Sequence, residues 1–255
     1  MDGMQGKSWQ GVSVAELERA SHTAVPALRT AFDGPFLLRA FLGGTGRANA
    51  VSSLDPAPDG GLEARLARIE AAYARMGLPA RFRSTPLDPP GLEEALLARG
   101  YEEHDESLVM AGPLLRFAAP DAAVEILDRP NEDWLSVVAS ADYQTEQRRA
   151  EKVQAPDMML LPAAWLLLRI DGRPAVSGQV ASDGQLVGFF DIATMPEFRR
   201  QGLAGRLIAA GGHWGQQHGA LTGWLQVSAA NPARSVYERL GLREIYRYRY
   251  FLPKA

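Results

Sequence analysis

The sequence predicts a mixed α+β fold, built from mostly antiparallel sheet flanked by helices. Three observations carry this expectation. Apolar runs over Trp165–Ile170, Ala175–Ser182 and Gln185–Ala193 are separated by Asp171-Gly172 and Asp183-Gly184. Such dipeptides close tight hairpins, so the runs read as an antiparallel meander. The third run leads through Pro196 into a glycine-containing, cationic turn, Arg199–Gly205, and Leu203, Leu207 and Ile208 recur behind it at helical spacing. The chain also echoes itself: LEEALLARGYEEHDESLVM in the first half sits where ARSVYERLGLREIYRYRYF sits in the second, a weak sign of internal duplication.

The elements follow in order. Residues 1–118 read as a first domain. Val14–Phe41 is expected to be helical, interrupted at Asp33-Gly34-Pro35. Arg47–Leu54 reads as a strand and Asp55–Gly61 as a loop. Leu62, Leu66, Ile69 and Tyr73 then share one helix face, and Gly77 and Pro79 end that helix. A short strand at Ala80–Ser84, a helix at Leu92–Arg99 stopped by Gly100-Tyr101, and a strand around Ser107–Ala111 complete the half.

Residues 119–255 read as a second domain. Trp134, Leu135, Val137 and Val138 belong to a helix, and Asp142–Lys152 is polar surface, helix or loop. The meander and the helix behind the cationic turn come next. Leu221–Ser228 alternates like a strand. Asn231-Pro232 opens another helix with Ala233, Val236, Tyr237 and Leu240 on its inner side, ended by Gly241. Arg243–Leu252 alternates as a strand with one wet face.

Composition narrows the function. A chain of 255 residues suits two modest domains, and 46% apolar with 22% charged residues is the balance of a soluble globular protein. A net charge of −3 supplies no global basic field to hold nucleic acid or an anionic membrane. No run approaches the roughly 20 apolar residues that span a bilayer. The stretch MDGMQGKSWQ lacks the charged-then-apolar design of a signal peptide, so a cytoplasmic location is expected. Without cysteine there is no disulfide, no thiolate metal site and no cysteine nucleophile. The histidines, His22, His104, His213 and His218, are scattered without metal-ligand spacing, and no metal is expected.

The turn after the third strand has the chemistry of an anion site. The first N–H groups of a helix lack internal partners and the helix dipole favours negative charge there. Gly202, Ala204 and Gly205 keep side chains out of the way, while Arg199, Arg200 and Arg206 add charge. The order Arg-x-x-Gly-x-Ala, at Arg199, Gly202 and Ala204, resembles the acyl-CoA-binding motif of the GNAT acetyltransferase superfamily. The meander, the Asn231-Pro232-Ala233 helix start and Tyr237 ahead of Gly241-Leu242 fit the same resemblance. It covers residues 130–252 well and the first half loosely, and so implies two GNAT-like domains. The N-terminal copy would be degenerate, since its helix begins Asp59-Gly60-Gly61-Leu62 without the motif.

The resemblance implies a site. Acetyl-CoA would be the co-substrate, with central strands splayed to admit its pantetheine arm along Asp191–Thr194. Backbone groups of Ile192 and Thr194, flanking Ala193, would bond the pantetheine amides like an added strand. Arg199, Arg200 and the amides of Gln201, Gly202, Leu203, Ala204 and Gly205 would hold the diphosphate. Asn231 would contact the CoA arm, and it is equally a good N-cap. Tyr237 would be the general acid that protonates the departing thiolate, since tyrosine holds its proton up to about pH 10; a core tyrosine is the alternative. The acceptor would be an amine, of a small molecule or a peptide, attacking the thioester directly. No base is assigned: Gly188 stands where some relatives carry a glutamate, Asp191 is a weak candidate, and Glu146 and His104 are unplaced. The acidic run Glu102–Glu106 reads as a solvated loop. A non-catalytic acyl-CoA-binding module, or a fold-only relative, remains open at this point.

Overall fold

In chain order the computed structural model comprises α1 (Val14–Ala24), β1 (Arg29–Asp33), β2 (Phe36–Ala40), β3 (Val51–Ser53), α2 (Leu62–Ala74), β4 (Phe82–Ser84), α3 (Leu92–Ala98) and β5 (Tyr101–Pro113). There follow β6 (Val124–Leu127), α4 (Glu132–Ala139), α5 (Glu146–Gln154), β7 (Ala163–Ile170), β8 (Arg173–Ser182) and β9 (Leu186–Thr194). The chain continues with α6 (Leu203–Gln217), β10 (Thr222–Ser228), α7 (Arg234–Arg239) and β11 (Arg243–Pro253). The structure describes residues 11–141 and 144–254. The N-terminal stretch read above for a signal, and Asp142 at the start of the polar run, lie outside them.

The meander forms as the Asp-Gly dipeptides require. Asp171 and Gly172 adopt φ of 50° and 75°, a mirror-type turn whose twist matches the strands it joins. At the next corner the Asp183 carboxylate accepts from the amides of Gln185 and Leu186 at 3.0 and 2.8 Å, closing β8 onto β9. The strands extend into one 11-stranded mixed sheet, ordered β1-β2-β3-β4-β11-β5-β10-β9-β8-β7-β6. Neighbours are antiparallel except β3 with β4 and β9 with β10. Each parallel pair is joined across a helix, α2 in one case and α6 in the other. At the centre β11 pairs with β4 and β5, and β5 pairs with β11 and β10. Each half therefore lends its final strand to the other.

The expectation of helix over Val14–Phe41 holds only to Ala24. Residues 29–40 form the β1–β2 hairpin instead, in register from Arg29↔Ala40 to Asp33↔Phe36. The Asp33-Gly34 break is its turn, with Gly34 at φ 58°. Glu102–Glu106 is no loop but part of β5, its carboxylates paired to β11 through Arg247–Glu106 and Arg249–Glu103. The strand expected over Arg47–Leu54 is confined to Val51–Ser53, because Ala48 and Asn49 are drawn into a turn by the carbonyls of Thr45 and Gly46. Strand β6 had no sequence counterpart.

Helix α6 lies very close to the sheet. A Cβ on Gly211 would meet Leu166, Val180 and Phe189 at 2.9–3.0 Å, and one on Gly215 would meet Val187 at 2.6 Å. The glycines thus exchange helix propensity for proximity. Leu207 and Ile208 complete the contact, buried with Leu166, Leu168, Val176 and Val180. On the other face, Trp134 and Val138 of α4 cover Trp165 and Leu167. Among the described residues no helix is long and apolar enough to cross a membrane.

Candidate active site

The site begins where β9 and β10 part. Their ladder runs from Thr222↔Leu186 to Leu225↔Phe189 and stops. Beyond it β9 stays paired to β8 as far as Thr194, and β10 to β5 as far as Ser228. Bonded only on their outer sides, the two strands open a gap between them.

A bulge bends β9 at that point. The β8 register jumps from Gln179↔Phe190 to Ser177↔Ala193, so Asp191 and Ile192 together face Gly178. Asp191 takes φ of 51°, a left-handed conformation that aspartate tolerates better than most residues. Gly178 leaves room: a Cβ there would sit 2.7 Å from Leu207 and 3.6 Å from Ile192. The indole of Trp134 donates to the Gly178 carbonyl at 2.9 Å and pins the opposite strand.

The cationic turn follows. Met195 N–H bonds the Ala175 carbonyl, and a short 3₁₀ turn over Pro196–Phe198 lifts the chain off the sheet. Arg200 and Gly202 both adopt positive φ, 61° and 76°, and Gly202 caps α6 without a side chain. A Cβ on Gly202 or Gly205 would meet nothing within 4 Å, so the space over the turn is open. The Arg206 amide makes the helix-opening bond, to the Gly202 carbonyl at 3.3 Å. The amides of Leu203, Ala204 and Gly205 lie in the first turn, where the helix itself supplies no acceptor. Of the arginines, Arg199 and Arg200 are exposed, with Arg199 donating to the Thr194 carbonyl at 3.2 Å. Arg206 is turned aside onto Asp121 at 2.8 Å.

The remaining expected residues divide. Ile192 is half-buried against the α6 core, while its backbone lies in the bulge. Asn231 is exposed, and its Oδ1 accepts from the Ala233 amide at 2.9 Å, fixing the turn before α7. Tyr237 is buried, at 8% exposure, in the core cluster that also takes in Ile192 and Ala204. The helix it sits on is short, Arg234–Arg239, and begins later than the Asn-Pro signal implied.

The absence of a carboxylate at position 188 has a steric cause. A Cβ on Gly188 would sit 2.7–2.8 Å from the rings of Phe190 and Trp224. These pack edge to face, with centroids 5.3 Å apart. The Asp191 carboxylate is already engaged in an ion pair. Lys152 donates to its Oδ1 at 2.7 Å. Burial would push the Asp191 carboxyl up, but the charges of Lys152, Arg47 and Arg148 hold it below the usual carboxylate range. His104 lies on β5, with β10 between it and β9, and Glu146 is exposed at the start of α5.

Sequence reasoning missed the residues that close the site from α5. Arg148 and Lys152, four apart on α5, line a cleft with Arg47, Gln179, Phe190 and Asp191. Their spacing was the available signal, because positions four apart share a helix face. Glu151 between them is buried. Its carboxylate accepts from the amides of Leu42, Gly44 and Thr45 and from Asn49 Nδ2, at 2.7–3.1 Å. It ties loop 42–49 of the first half to a helix of the second. Among the described residues no three His, Asp or Glu side chains gather as metal ligands.

A sheet whose central strands part beside a bulge and a bare helix start is the framework of the GNAT acyltransferases, and this chain is a member of that superfamily. Within it, residues 12–251 match the family model described as Probable histone acetyltransferase Rv0428c C-terminal, and the chain belongs to that family. It is similar to the Uncharacterized N-acetyltransferase YobR of Bacillus subtilis (strain 168), 25% identical over 257 residues, covering 94% of this chain and 99% of the relative. Among solved structures it resembles a GCN5-related N-acetyltransferase from Kribbella flavida, with TM-score 0.72, 19% identity and 94% and 95% of the two chains covered. It also resembles a tandem GNAT protein from the clavulanic acid biosynthesis pathway, with TM-score 0.63, 14% identity and 93% and 87% covered. The enzyme is an acyltransferase.

Proposed function

We propose that the chain moves an acetyl group from acetyl-CoA to a primary amine by direct attack. Residues 119–255 form the catalytic unit, and residues 1–118 are a degenerate copy that shapes the acceptor side. The observation that carries the reading is the gap between β9 and β10, opening next to the uncovered turn at Gly202.

In this scheme the diphosphate lies on the amides from Gln201 to Gly205, with Arg199 and Arg200 beside it. The pantetheine arm runs along Ile192–Thr194, placing the thioester at the mouth of the gap. The amine nitrogen attacks the carbonyl carbon, the C–N bond forms and the C–S bond breaks. The ammonium proton leaves to water, and the thiolate takes a proton from the Tyr237 hydroxyl. With no cysteine in the chain, no acyl-cysteine intermediate is available. The family description names a histone acetyltransferase, which makes a protein lysine one acceptor class. The same reading requires a compartment that holds acetyl-CoA, for which we propose the cytoplasm.

Calorimetry with acetyl-CoA and a CoA-release assay test the reading. Acetyl-CoA binds, and Tyr237→Phe loses turnover by about 100-fold while keeping affinity. Unchanged turnover removes Tyr237 from the acid role, and failure to bind any CoA ester overturns the whole reading. A second reading, a non-catalytic acyl-CoA-binding module, is favoured by the closure of position 188 by Phe190 and Trp224. Acetyl-CoA that binds but is never turned over with any amine supports it.

A further inference from the structure

Helix α5 is held in place without an apolar anchor. Of its residues Glu151 alone is buried, and Val153 is 47% exposed. Two adjacent charged residues tie it to its surroundings instead. Glu151 accepts from the amides of Leu42, Gly44 and Thr45 and from Asn49 Nδ2, all in the first half. That loop comes so close that a Cβ on Gly44 would meet Glu151 Oε2 at 2.6 Å and the Arg148 backbone nitrogen at 2.8 Å. Lys152, the next residue, donates to Asp191 Oδ1 in the β9 bulge at 2.7 Å.

The Lys152–Asp191 pair is sheltered, its side chains 13% and 7% exposed. Burial would neutralise Asp191, but the positive charges beside it, Lys152 foremost, keep it ionised. A buried charge that loses its partner is strongly unfavourable. Asp191 also stands at φ 51°, a conformation that persists only where the surroundings impose it. The same residue makes the bulge: Asp191 and Ile192 together face Gly178, past the point where β9 leaves β10. The ion pair and the left-handed backbone are thus two ends of one constraint. Releasing it would let β9 return to a regular register, and a slip of one residue turns Ile192 and Thr194 to the opposite face.

We propose that Lys152 is a positioning residue for the cofactor arm: it fixes the β9 bulge through Asp191, and loop 42–49 of the first half governs it through Glu151. This rests on the acetyl-transfer reading above, in which the backbone of the bulge meets the pantetheine. It gives the first half a task on the cofactor side as well as on the acceptor side. The path is contiguous. It runs from the loop amides to the Glu151 carboxylate, across one peptide unit to Lys152, and on to Asp191 and the bulge. Because α5 buries no apolar side chain, a shift of the loop passes into Lys152 with little to resist it.

The test uses the full-length protein and two readouts: amide hydrogen exchange over residues 189–195 without ligand, and the acetyl-CoA Kd by calorimetry. Lys152→Met should speed exchange in that segment and raise the Kd by about tenfold. Lys152→Arg keeps the charge and should stay within about threefold of the unaltered protein. Asp191→Asn should match Lys152→Met, and the double variant should be no weaker than either single one, as for two members of one pair. Glu151→Gln loses part of its hold on the loop and should raise the Kd by about threefold with the same exchange signature. Leu66→Ala, in the separate core beneath α2, is the stability control and should leave the Kd unchanged. Unaltered exchange and affinity in either Lys152→Met or Glu151→Gln overturn the proposal, as does an equal loss of affinity in Leu66→Ala. If Lys152→Met does not fold, Glu151→Gln decides by the same criteria. An unaltered protein that binds no acetyl-CoA sinks the parent reading instead, and the exchange readout still decides whether Lys152 and Glu151 hold the bulge.

Discussion

The unit β3–loop–α2 in the first half and the unit β9–turn–α6 in the second share a plan: a strand, a crossover helix and a parallel neighbour. They part in what they offer an anion. At the start of α2 the Gly61 amide donates to Asp59 Oδ1 at 3.0 Å, and Arg65 Nε reaches Asp59 Oδ2 at 2.6 Å. Arg65 also pairs with Asp33, and Arg68 does the same from the next turn. A carboxylate of the chain already holds the place a phosphate would take, and the arginines are committed to it. At Gly202 the corresponding place is open, with Arg199 and Arg200 exposed beside it. The bulge that redirects β9 has no equivalent in the register of β2 with β3. The backbone plan makes such a site possible, and a few side chains decide whether it exists.

This contrast can be broken most sharply at the two turns. Gly202→Asp sets a carboxylate at the open turn and should weaken acetyl-CoA binding by roughly 1,000-fold in calorimetry. Gly202→Ala carries the strain of φ 76° alone and separates it from the charge effect. Gly60→Asp, in open space at the other turn, should leave the affinity unchanged. A comparable loss from both aspartates would mean that the first half also binds the nucleotide.

The helices behind the turns differ in packing. Leu66 of α2 is fully buried, so Leu66→Ala should cost about 3 kcal/mol in urea unfolding. In α6 the reverse change is harmful: Gly215→Ala would push a methyl to 2.8 Å from the Val187 Cβ, which cannot rotate away. We expect about 2 kcal/mol of destabilisation. A neutral Gly215→Ala would show that α6 is free to lift from the sheet.

The junctions after the parallel strands differ in charge. Ahead of α3, burial pushes the Asp88 carboxyl up to about 7, with only the Thr85 amide and a nearby serine opposing it. Its folded pKa exceeds the unfolded value, so the protonated native form contributes stability that is complete below about 3.8 and lost as pH rises to about 7. Asp88→Asn should remove a slope on the order of 2 kcal/mol from that window. An unchanged pH profile would show that Asp88 is solvated. At the other junction Asn231 carries no charge, and Asn231→Ala should cost only about 1 kcal/mol through the lost Ala233 N–H bond. A much larger loss of acetyl-CoA affinity than of stability would place Asn231 on the CoA arm.

Local signals told most about the second half. The Asp-Gly turns, the Gly-rich helix start and the final alternating strand act over a few residues, and each appears where its chemistry required. Gly211 and Gly215 cost α6 helix propensity, and no local signal shows their benefit, because the nearness of Leu166 and Val187 is tertiary. Residues 29–41 were misread because a short apolar run such as Phe36–Ala40 has the same composition in a helix or a buried strand. The acidic stretch at 102–106 became strand because β11 supplies arginines opposite it, 140 residues or so further along. The Glu151 clamp was invisible for the same reason, since its donors lie on loop 42–49 and no spacing in α5 announces them.

The crossed placement of β5 and β11 sets a schedule for the nascent chain. The stretch made early on the ribosome keeps an unfilled edge at β4 until β11 has been translated. Until then β5 lacks at least one of its two partners, and chaperones would meet a half-finished sheet. Cutting the gene between the halves should yield two insoluble fragments rather than one silent and one working enzyme.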